Sequence, residues 1–143
     1  MIKTILVPVD LANTASGAAA LDLACDMADK YGSKLVLLHV VDVVPAFIQA
    51  QLPPGAHTKV LEDAKARLTA FAAEQGLSGS AEILTREGSP ATEILEFAKE
   101  AGTDMIVIAS HDPGVADYFL GSVASRVVRH AHCSVLVVRP SRD

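Results

Sequence analysis

Apolar runs of strand length alternate with stretches of helical period along this chain, and that alternation leaves few folds open. Residues 105–109 (MIVIA) and 135–138 (VLVV) are unbroken and rich in branched side chains, the mark of strands covered on both faces. Residues 4–9, ending at Asp10, and 34–41 are two more such runs. Residues 81–85 are a weaker fifth, with polar Glu82 beside Ile83 and Leu84, as expected near a sheet edge. Between the runs, Asn13 or Thr14 can cap a helix that continues to about Lys30 and stops at Tyr31-Gly32. Val60, Ala64, Leu68 and Phe71 recur at helical spacing before Gly76. Gly88-Ser89-Pro90 opens a helix whose stripe is Ala91, Ile94, Leu95 and Ala98 and whose end is Gly102. Val123, Val127 and Ala131 mark a last, short one. A strand, helix and strand within about forty residues implies parallel pairing through a right-handed crossover. The expectation is a single α/β domain over residues 1–143, an open doubly wound five-stranded parallel sheet with four helices on its two faces.

A chain of 143 residues can bury such a core without disulfides or metal. Its net charge of −5 opposes a sequence-independent grip on phosphodiester backbones, so nucleic acid is not the expected partner. Arg126, Arg129, His130, His132, Arg139 and Arg142 gather near the end of the chain without interleaved aromatics, as on a solvated helix face and tail. The first apolar run is too short for a signal-peptide core or a membrane span, which makes the cytoplasm the simplest address and a membrane partner unexpected. Cys25 and Cys133 form no framework or metal spacing and read as small buried apolar residues. Residues 42–59 break the pattern with three prolines and no clean period. Val44, Phe47, Ile48 and Leu52 there would suit a lid or partner patch, or a plain surface excursion.

In doubly wound sheets, ligands bind beyond the carboxyl ends of the strands, where the strand order reverses. With the first and fourth strands flanking that point, Pro8, Val9 and Asp10, the second strand's end at Val40, and the loop 109–123 converge on one crevice. Asp10 could accept hydrogen bonds there from a ribose or an exocyclic amine; alternatively it caps the first helix or pairs with a lysine. Gly121-Ser122 opens a helix, and helix-start amides together with a hydroxyl suit an anion, although Ser122 can equally serve as a cap alone.

KTILVPVD, KLVLLHVVD, REGSPATEIL, DMIVIASH and GSVASRVVRHAHCSVLVVR together resemble the universal stress proteins over nearly the whole chain. The resemblance implies a Rossmann-like fold related to the adenine nucleotide alpha hydrolases. Nucleotide-binding members carry Gly, two residues, Gly, nine residues, Gly, then Ser or Thr. Here Ala109 and Asp112 replace the first two glycines, and residues 113–120 shorten the spacer to eight, so the chain looks like a subclass with a modified nucleotide-binding loop. What the resemblance implies is ATP or AMP as ligand, with Mg²⁺ bridged through the phosphates. Pro8, Val9, Asp10 and Val40 would form the adenosine end, Ala109 a ribose-facing spot, and Ser110, His111, Gly121, Ser122 and Val123 would hold ribose and phosphates. It also implies a homodimer through the terminal edge strand, residues 134–138, the alternative being that Arg139, Pro140 and the tail shield that edge.

No Walker-type G-x-x-x-x-G-K-[ST], no G-x-S-x-G and no His-Glu-x-x-His occurs, and no lysine is placed by motif to reach a phosphate. Regulatory nucleotide binding is therefore expected ahead of fast catalysis. The alternatives are a nucleotide-independent dimeric interaction protein and a slow ATP hydrolase.

Overall fold

The computed structural model describes residues 1–77, 79–110 and 120–139. Along the chain run β1 (Thr4–Pro8), α1 (Thr14–Tyr31), β2 (Lys34–Val41), α2 (Ala46–Gln49), α3 (Ala56–Glu74), β3 (Glu82–Glu87), α4 (Pro90–Glu100), β4 (Met105–Ala109), α5 (Ser122–His130) and β5 (Ser134–Val138). The strands form one parallel sheet in the order β3-β2-β1-β4-β5. The order reverses beside β1, which pairs Thr4 with Lys34 on one side and Ile5 with Met105 on the other.

Strand alternation sends side chains to two cores. Ile5, Val7, Leu35, Leu37 and Val107 pack under α1 and α3 with Leu21, Leu68 and Phe71. Leu6, Val36, Leu38, Ile106 and Ile108 pack under α4 and α5 with Ile94 and Val127. Helices thus cover both faces, which is why the central strands carry long apolar runs, Ile5–Val7, Leu35–Leu38 and Met105–Ala109. The edge strand β3 carries polar residues that find partners: Glu82 pairs with Lys34, and the Arg86 guanidinium lies over the Phe97 ring of α4 and pairs with Glu93 and Glu100.

Several local expectations need correction. The third helix starts at Ala56 rather than Val60, after Gly55 in a left-handed conformation (φ +86°), and Val60 is exposed while Ala64, Leu68 and Phe71 are buried. Its added first turn is largely solvent-facing, so no apolar period announced it. Within the excursion sits a helix beyond the four expected, α2, none of whose residues is buried; Phe47 is 70% exposed. Asn13 and Ser89 stand at helix starts without a side-chain capping bond. Cys25 and Cys133 are half-buried free thiols, and burial first, then nearby aspartates, raises both above the ordinary thiol range.

At the amino end of the sheet, Asp104 Oδ2 accepts the backbone N–H groups of Lys3 (2.8 Å) and Thr4 (2.9 Å), tying β4 to β1. The Thr4 bond, then the Lys3 bond, lowers its pKa. A depressed carboxyl adds stability above its unfolded pKa of about 3.9 and loses it as the pH falls through the folded value. Asp104→Asn is therefore expected to lower the urea midpoint at pH 7, with the gap to wild type closing below about pH 4. A gap independent of pH would contradict this charge effect.

Candidate functional site

The carboxyl ends of β1, β2 and β4 open into a cavity of about 530 Å³, within the roughly 300–1,000 Å³ of small-molecule sites. Pro8, Val9 and Asp10 enter it from the end of β1, Val40 from β2, Ala109 from β4 and Val123 from the first turn of α5. The reversal of strand order brings these segments together, although more than a hundred residues separate Asp10 from Val123.

Ser110, Gly121 and Ser122 are not among the described residues of its wall. Ser110 is buried behind it: its N–H donates to the Val138 carbonyl (3.0 Å), and its carbonyl accepts the Gly121 N–H (2.9 Å). It thus fastens the end of β4 to β5 and to the start of α5. Gly121 is the N-cap of α5 in an extended conformation, and its carbonyl accepts the first intrahelical bond, from Ser125 N–H. Val123 and Ala124, which precede that bond, face the cavity. Their helix-start position gives this side of the mouth partial positive charge. His111 and Asp112 lie outside the described residues, as does the rest of the loop up to residue 119.

The walls differ in chemistry. On the side of α4 and α5 they are apolar, with Val40, Ile94, Ile108 and Val123 drawn from the second core. Toward α1 and α3 they carry Asn13, Ser16, His39 and Arg67. Asp10 is exposed; its Oδ1 accepts the Ala12 N–H (2.9 Å), and its carbonyl accepts the Asn13 N–H (2.9 Å). Asp10 therefore shapes a turn ahead of α1, whose N-cap is Asn13. A planar ring would fit the apolar wall, a hydrogen-bond donor would meet Asp10, and an anion would meet the start of α5.

Sequence reading missed Asp42, His39 and Arg67. His39 did leave a signal: an imidazole inside an apolar strand must find a polar partner. Arg67 left none, being one of many charged residues on an exposed helix face.

The model of the universal stress protein family matches residues 1–139. A Thermus aquaticus protein described as a universal stress protein in the QAH/OAS sulfhydrylase 3′ region is 36% identical, over 97% of this chain and 100% of its own. The structure of universal stress protein UspA from Lactobacillus plantarum is 28% identical, with a TM-score of 0.74 over 96% of this chain and 98% of that one. A universal stress protein solved in complex with cAMP shares the fold, with a TM-score of 0.72 and 24% identity over 98% and 99% of the two chains. By sequence and by fold, the chain belongs to the universal stress protein family.

Proposed function

We propose that this protein binds an adenine nucleotide, ATP or AMP, in the cavity at the ends of β1, β2 and β4, and that occupancy rather than turnover is its output. The observation that carries this reading is the cavity itself, in which Asp10, Val40, Ala109 and Val123 meet beside the start of α5. Its apolar wall suits a base, Asp10 suits an amine or a ribose hydroxyl, and the helix start suits phosphates. Supporting it further, the cavity's dimensions suit a small-molecule ligand, and a protein of the same fold was solved with cAMP. Pro8, Val9, Asp10 and Val40 would hold the adenosine end; Ala109 would face the ribose; Ser110, His111, Gly121, Ser122 and Val123 would serve ribose and phosphates. The altered loop, with Ala109 and Asp112 in place of glycines, would define a subclass that keeps binding. Mg²⁺ would be held chiefly by phosphate oxygens, since it readily keeps waters and few protein ligands. The working form would be a homodimer joined through the edge strand β5, in the cytoplasm.

Calorimetric titration of nucleotide-stripped protein with ATP, AMP and GTP, with and without Mg²⁺, tests this. The expected result is micromolar adenine-nucleotide binding that weakens at least about tenfold, roughly 1.4 kcal/mol, in Asp10→Ala and in Gly121→Val. The same preparation should sediment at twice the 15.0 kDa chain mass. No heat at millimolar ligand would favour a nucleotide-independent interaction protein, and ADP release that Asp10→Ala abolishes would make it a slow hydrolase.

A further inference from the structure

Asp10 sits in a turn gripped from two directions. The β1–β2 register ends at the pair Pro8 and Leu38, and Val9 N–H makes a last bond to the Leu38 carbonyl (2.8 Å). One atom group further on, the Val9 carbonyl lies 2.9 Å from His39 Nδ1. A carbonyl oxygen only accepts, so Nδ1 carries the proton and the side chain takes over where strand pairing stops. On the far side of Asp10, Arg67 Nη2 on α3 donates to the Leu11 carbonyl (3.3 Å). The carbonyls of Val9, Asp10 and Leu11 are thus engaged in succession, the outer two by side chains 30 and 56 residues away in sequence. Both side chains also line the cavity that Asp10 enters.

We infer that His39 and Arg67 are paired positioning residues that hold the Asp10 carboxylate toward a donor on the nucleoside, an inference that rests on the cavity being the nucleotide site. A turn held before the ligand arrives spares the ordering cost that a loose turn would meet on binding, and a fixed acceptor discriminates between ligands where a mobile one does not. Neither residue has to touch the nucleotide for this. His39 acts through Val9 and Arg67 through Leu11.

The test compares His39→Leu, His39→Asn and Arg67→Met with wild type. Asparagine keeps an N–H donor near the position of Nδ1; leucine and methionine remove the donor and keep the bulk. The first readout is hydrogen exchange of the Ala12 amide, which bonds Asp10 Oδ1, measured without ligand. It should speed up about tenfold in His39→Leu and in Arg67→Met, and stay near wild type in His39→Asn, while core amides of β1 remain protected. The second is selectivity, the affinity for AMP relative to inosine monophosphate and to 2′-deoxy-AMP. Whichever ratio wild type shows should fall about tenfold in the same two variants and recover in His39→Asn. A wild type indifferent to both changes, an equal loss of affinity for all three ligands, Ala12 exchange unmoved in both variants, or asparagine behaving as leucine would each overturn the inference. A wild type that binds no nucleotide would refute the reading of the cavity and, with it, this role for the clamp; Ala12 exchange would then still report whether the two side chains hold the turn.

Discussion

Leu6→Ala is expected to lower the free energy of unfolding by about 2–5 kcal/mol, the range for deleting a buried leucine side chain. Leu6 is fully buried on the central strand, facing α4 and α5, in a cluster that includes Val36, Leu38, Ile94, Ile106 and Val127. Truncation removes hydrophobic transfer energy, and it leaves a void that neighbours fixed in two sheet ladders cannot readily fill. Folded domains of this size are stable by only about 5–15 kcal/mol, so one residue would remove a large share of the total. Leu52 is 39% exposed on the excursion after β2, and Leu52→Ala should change stability by no more than about 0.5 kcal/mol. Urea unfolding at equal slope checks both. Losses of similar size at the two positions would mean that the core between sheet and helices does not carry the stability.

The contrast between those leucines also explains what could be read without coordinates. Burial imposes a period: two-sided burial made the runs around Leu6, Leu37 and Val107 continuous, and one-sided burial spaced Ala64, Leu68 and Phe71 along α3. Those elements were legible. No period is imposed where nothing is buried, so α2 and the first turn of α3 left no trace, and Val60, in helical phase with Ala64, Leu68 and Phe71, faces solvent. The meeting of Pro8, Asp10, Val40, Ala109 and Val123 followed from strand order, because a parallel sheet brings all its carboxyl ends to one edge. The rest of the wall came from side chains reaching across elements. Nothing in the local sequence of α3 indicates that Arg67 bends back to the carbonyl of Leu11.

Val40→Trp should abolish most nucleotide binding and leave the fold intact. Val40 lies next to the last residue of β2, is half-buried, and lines the apolar wall with Ile94, Ile108 and Val123. An indole is a planar bicycle close to a purine in size, so it would occupy the space proposed for the base. The expected loss in AMP affinity is about a hundredfold, the equivalent of roughly 2.7 kcal/mol. Any strain from the larger side chain is relieved into the cavity, so stability should fall by less than the roughly 1–3 kcal/mol typical of overpacking a closed core. The sequence contains no other tryptophan, which makes the variant its own reporter. Emission shifted to the blue of a fully exposed indole would place the ring in the cavity, and calorimetry on the same sample would give the affinity. Blue-shifted emission with unchanged AMP affinity would put the nucleotide elsewhere on the molecule, and Asp10 would then be a turn residue with no part in recognition.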